Sequence, residues 1–146
     1  MKFKITSEEK KLILSMRIND IFNMSSKDFY SLPENKLKWV LKIFASEWQS
    51  SEAPTAKAIK LSKKLLPLTI KNGPLTSYRP DKTILYRGGK ILNRPQSFSW
   101  DKKVARMFGN NITKVKITNK DYALDLDKIL GTGESEKEVI IIPRVA

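Results

Sequence analysis

The sequence predicts an α+β fold, in which a helical N-terminal half packs on a mostly antiparallel sheet. Two observations carry this expectation. Leu37, Val40, Leu41, Phe44 and Trp48 recur at i, i+3, i+4, i+7 and i+11, which lays one apolar stripe along a helix. Beyond Pro80-Asp81 the character changes, and Ile112-Thr-Lys-Val-Lys-Ile-Thr118 alternates apolar and polar side chains with the period of a half-buried strand. Asn72-Gly73-Pro74 breaks the chain between the two regimes. With 146 residues and 40% apolar content, the chain suits one compact domain, residues 1–79 forming its helical portion and 80–146 its β-rich portion.

Each element has a local reason. Thr6-Ser-Glu-Glu9 fits a capping box, and Leu12, Leu14, Met16, Ile18, Ile21 and Phe22 supply apolar positions for a first helix to about Met24. Ser25-Ser26 open a short second helix or turn through Tyr30. A third helix follows Pro33 and carries the apolar stripe, which reads as core. Pro54 suits the first turn of a fourth helix, whose Ala58, Leu61, Ser62 and Leu65 face inward and which Pro67 stops. Strands are expected over 83–87, 112–118 and 122–127, and Glu138-Val-Ile-Ile-Ile-Pro143 is the strongest of all. Between the first two, Ser99-Trp-Asp-Lys-Lys-Val-Ala-Arg-Met-Phe108 reads as an amphipathic helix, capped by Ser99, with Val104, Ala105 and Phe108 inward.

Composition excludes several chemistries. The chain contains no cysteine and no histidine, so disulfides, thiol nucleophiles, Cys/His zinc sites and Ser-His-Asp triads are ruled out. No metal site is expected. Acid–base work falls to carboxylates, lysine or tyrosine. Residues 1–80 carry 15 cations against 7 anions and residues 81–146 carry 13 against 8, so the formal charge of +13 is spread over both halves. Such a field draws in polyanions, nucleic acid and diphosphates alike. No signal-peptide pattern and no run of about 18 apolar residues is present, so a soluble, non-exported chain without a membrane partner is expected.

Three pieces carry candidate chemistry. Ile84-Leu-Tyr-Arg-Gly-Gly89 places Arg87 at the end of a strand before two glycines; an arginine fork binds phosphate oxygens two at a time, and glycine lets a ligand approach the backbone. Gln96-Ser-Phe-Ser99 leads into a helix, with Ser97 free to brace a carboxylate or a sugar hydroxyl and Ser99 better placed to cap. In Gly133-Glu-Ser-Glu-Lys-Glu-Val-Ile-Ile-Ile-Pro143, Glu136 and Glu138 share one face of an extended backbone. Like charges held side by side suit a positively charged ligand or reaction centre. Each piece has a plain structural reading too: turn chemistry, cap serines, and acids that guard an aggregation-prone strand.

Taken in order, a strand ending Tyr-Arg-Gly, a Ser-x-Ser before a helix ending Ala-x-x-Phe, and a Glu-x-Glu-Val before an apolar strand resemble the arginine–serine–glutamate class of mono-ADP-ribosyltransferases, most of all the small enzymes of tailed bacteriophages. The resemblance covers residues 80–143 and implies an ADP-ribosyltransferase-like β-core under a helical cap. It implies NAD as co-substrate, with Arg87 on the phosphates and the Gly88 backbone on the nicotinamide carboxamide. It implies that Ser97 orients Glu138, and that Glu138 holds the ribose 2′-OH and stabilises the positive charge that develops as nicotinamide leaves. Glu136 would orient and deprotonate an acceptor guanidinium. The implied partner is a host protein, nucleic-acid associated or not. The implied location is the bacterial cytoplasm, after synthesis there or after carriage in the virion. Phe98, in the middle of the serine motif, either points into the core or stacks near nicotinamide. A second reading keeps the scaffold and drops the chemistry, leaving a basic nucleic-acid-binding module.

Overall fold

The computed structural model describes residues 23–50, 53–70, 73–131 and 137–143. All but the last two residues of the helix expected over 6–24 lie outside the described residues, as does Glu136. Helix α1, Ser26–Tyr30, is set by a capping box in which the Ser25 hydroxyl accepts the Asp28 N–H and the Asp28 carboxylate accepts the Ser25 N–H. Hydrogen bonding to the carboxylate from the Ser25 N–H, foremost, and from the Ser25 side chain holds the Asp28 carboxyl below its ordinary pKa of 3.8. Helix α2, Glu34–Gln49, starts directly after Pro33 and buries Leu37, Val40, Leu41, Phe44, Ala45 and Trp48, the expected stripe. Helix α3, Ala56–Leu65, buries Ala58, Leu61, Ser62 and Leu65 as its periodicity requires.

Of the two prolines around α3, Pro54 acts differently from expectation. Thr55 is the N-cap, so Pro54 stands before the helix instead of in its first turn. The α-helix ends at Leu65, before Pro67 as expected, and Pro67 sits in the first turn of the 3₁₀ segment that follows, Leu66–Thr69, where its missing N–H has no bond to lose.

The second half forms a five-stranded sheet in the order β3-β1-β2-β5-β4, every described pair antiparallel. Its strands are β1 Ile84–Gly88, β2 Gln96–Ser99, β3 Ile112–Lys116, β4 Ala123–Asp125 and β5 Glu138–Ile141. Helix α4, Lys102–Arg106, links β2 to β3, and α5, Leu126–Leu130, follows β4. Alternation along β5 splits its apolar run between two faces. Ile140 joins Leu124, Leu126 and the residues of α1, α2 and α3 in one core, whereas Val139 and Ile141 join Leu85, Phe98, Ile117 and Ala123 in a second. The chain is therefore a mixed α+β structure, its helical half laid on one face of the sheet.

Three expectations for the second half are corrected. The run 122–127 is extended only to Asp125; the Asp125 carboxylate accepts the Asp127 and Lys128 N–H groups and so starts a helix that period-two reading had taken for strand. The helix after the serines is capped by Asp101, whose carboxylate accepts the Lys103 N–H, while Ser99 accepts the Asp101 N–H in a turn before it. That helix ends at Arg106. Ala105 is buried and Val104 half-buried, but Phe108 lies beyond the last turn and is 72% exposed, not inward.

Candidate active site at the junction of helix and sheet

Register places the site. Ser99 pairs with Tyr86 on one side and Glu138 on the other, and Ser97 pairs with Ile140, so Tyr86, Ser97, Ser99, Glu138 and Ile140 share the face that the helical half covers in part. Ser97 and Glu138 are diagonal neighbours there, within reach of each other's side chains. The Ser97 hydroxyl donates to Glu138 Oε2 at 2.5 Å. Phe98, between the two serines, points to the opposite face, where it is 2% exposed in the second core. Of the two placements open to Phe98 in the sequence, the structure takes the core.

Two residues that sequence reasoning missed complete the surroundings of the carboxylate. Trp48 Nε1 donates to Ser97 Oγ at 2.8 Å and to Glu138 Oε2 at 3.2 Å, and Gln49 Nε2 donates to Glu138 Oε1 at 2.9 Å. The Trp48 ring is 2% exposed and packs 5.8 Å from the Phe44 ring, so the apolar stripe of α2 is core, as expected, and also delivers a polar edge. One signal was available: a buried indole N–H needs a partner, and a stripe ending in tryptophan next to glutamine promises one.

Arg87 is joined to the pair through Ser97. Its Nη1 donates to the Ser97 carbonyl at 2.7 Å and its Nε to the Lys90 carbonyl at 3.1 Å. Alternation starts Arg87 on the Leu85 side of β1, opposite Tyr86, and its guanidinium reaches across to the edge of β2. The Gln96 side chain braces the same loop, accepting the Leu92 N–H and donating to Lys90 O. Burial, and secondarily the nearby charge of Arg94, lower the Arg87 pKa below its ordinary value. Held at Nε and Nη1, the fork has Nη2 without a protein acceptor among the described residues.

Gly88 has a steric reason to be glycine. A Cβ there would lie 2.1 Å from the Ala105 carbonyl oxygen and 2.7 Å from that of Gly109, so the strand and the end of α4 approach more closely than any side chain allows. Gly89 adopts φ +97° and donates its N–H to Asn111 O at 3.1 Å.

The expectation that Glu136 and Glu138 share one face of an extended backbone rests on an extended residue between them. Lys137 is not extended: its φ is +53°. Its N–H donates to the buried Asp127 carboxylate at 2.8 Å, and its ammonium lies 2.9 Å from Asp101 Oδ2 and 5.4 Å from the centre of the Trp100 ring. These contacts hold a left-handed turn immediately before β5; Glu136 itself lies outside the described residues.

The structure thus brings Arg87, Ser97 and Glu138 into one neighbourhood, with Gly88 at the end of the same strand as Arg87. Among the described residues no cluster of three or more acidic side chains is placed to hold a metal, and no helix is long and apolar enough to cross a membrane. Comparison with protein-family models, curated proteins and solved structures finds no match to this chain.

Proposed function

We propose that the sheet is an ADP-ribosyltransferase-like core and that the chain transfers ADP-ribose from NAD to an acceptor, arginine of a host protein in the bacterial cytoplasm. One observation supports this reading above the rest: Ser97, 10 residues from Arg87 and 41 from Glu138 along the chain, hydrogen-bonds both. A plain turn arginine, a cap serine and a guard acid have no reason to meet.

The donor and acceptor set suits the dinucleotide. Arg87 Nη2 offers free donors for a phosphate, and the 88–96 loop contains Lys90 and Arg94 but no acid. NAD supplies an activated glycosidic bond to a cationic leaving group. Glu138 places negative charge where positive charge grows at the anomeric carbon, which favours the transition state over the ground state. Ser97 fixes the carboxylate, and the Gly88 backbone is assigned to the carboxamide. Glu136 is assigned to the acceptor guanidinium, whose own pKa lies above about 12.

Incubation with labelled NAD and a bacterial lysate tests the reading. A labelled protein band is expected, with Glu138→Gln and Arg87→Ala abolishing the label while both variants remain folded. Labelling that survives Glu138→Gln rejects the mechanism. Glu136→Gln should lose transfer to arginine yet keep NAD glycohydrolysis; loss of both reactions together rejects separate roles for the two acids.

A further inference from the structure

Resting on that transferase reading, we infer that Trp48 and Gln49, from the last turn of α2 in the helical half, are positioning residues that fix the Glu138 carboxylate and leave Oε1 as the oxygen that meets substrate. An ionised carboxylate offers about four acceptor sites, two on each oxygen. Oε2 takes the Ser97 hydroxyl and the Trp48 indole N–H, which fills it. Oε1 takes the Gln49 amide and keeps one site open. The two groups from α2 thus do different work. Trp48, buried against Phe44 and bonded to Ser97 as well as to Glu138, locks the serine and the carboxylate to each other. Gln49, half-buried at the end of the helix, sets the rotation of the carboxylate about its last bond and so the direction of the open site.

The geometry also says why these donors come from the helical half. On the sheet side, β2 supplies Ser97 to one oxygen, and the next residue of that strand, Phe98, faces the other way. A second and a third anchor must come from above the sheet face, where the α2 end lies. A carboxylate tethered by one serine would swing; one held from two elements keeps its charge where the transition state needs it.

The test uses the full chain and two conservative variants. Trp48→Phe keeps a ring in the core and removes the N–H, and Gln49→Met keeps length and removes the amide. Each is expected to lower kcat for NAD glycohydrolysis at least about tenfold while KM moves less than about twofold, because the lost bonds act on the transition state more than on NAD binding. A purely structural role would show as a lowered melting temperature with an unchanged kcat. A second readout needs no turnover: the indole N–H resonance that disappears in Trp48→Phe should shift in Glu138→Gln more than the resonances of the other tryptophans. Wild-type turnover that both variants retain overturns the positioning role and leaves the transferase standing. No turnover in the wild type, with a shifted indole signal, overturns the transferase and leaves the Trp48–Glu138 bond. An unshifted indole signal overturns the arrangement itself.

Discussion

Gly88 shows how a residue chosen for one chemical reason is held by another. Its place at the end of β1 suggested backbone access for a ligand, and the structure adds a collision distance of 2.1 Å to the Ala105 carbonyl. Gly88→Ala should therefore destabilise the fold by about 3 kcal/mol, because the obstacle is backbone and cannot rotate away; equal denaturation midpoints for variant and wild type would contradict this. Arg87, Ser97 and Glu138 were legible because each sits beside an unusual neighbour: a glycine pair, a helix start and an apolar strand. Trp48 and Gln49 were not. A tryptophan at i+11 of an apolar stripe satisfies the helical period whether or not its N–H points at a carboxylate, and periodicity reports only which side of the helix is dry. Phe98 was ambiguous until the register of β2 with β5 fixed which face each of its neighbours occupies.

Elements with strongly patterned sequences were read with the right type, α2 and β5 above all. β2 and α5 were not. β2 is a four-residue strand carrying two serines, yet it lies at the centre of the sheet, its assignment made by the neighbours on both sides and not by its own propensity. α5 hid inside Leu124-Asp-Leu-Asp127, where alternation mimics a strand and the capping carboxylate of Asp125 decides otherwise. Arg79 ties the two halves together, its guanidinium donating to the carbonyls of Thr69, Thr118 and Asp121. Arg79→Met should cost about 2 kcal/mol, since it orphans acceptors at that junction, measurable as a lower urea midpoint at unchanged slope. The turn before β5 brings a pH dependence. The Lys137 hydrogen bond, then the Lys103 N–H, hold the Asp101 carboxyl below 3.8, so the folded state binds fewer protons there than the unfolded chain. The stabilisation from Asp101 is present above pH 3.8 and fades as pH falls through its lower folded value. Asp101→Asn should flatten that part of the wild-type stability profile, and parallel profiles would show that the contact does not couple to folding.

Over the whole molecule, the +13 charge is shared between both halves, and among the described residues Lys128–Asp81 and Lys137–Asp101 form salt bridges. A transferase carrying this field should capture anionic substrates faster at low salt. KM for NAD should rise with ionic strength over about 0.05 to 0.5 M while kcat holds steady. Salt-independent KM would remove steering from the account. The competing nucleic-acid-binding role predicts instead a log K that falls linearly with log salt and no NAD consumption. The end of α2 has one more consequence. Because Trp48 and Gln49 reach Glu138 from a helix packed on the sheet and not built into it, a small loosening of that seam disarms the carboxylate while all five strands remain paired. Warming should then silence turnover several degrees before the strands come apart, making catalytic output a more sensitive thermometer of the seam than any spectroscopic melt.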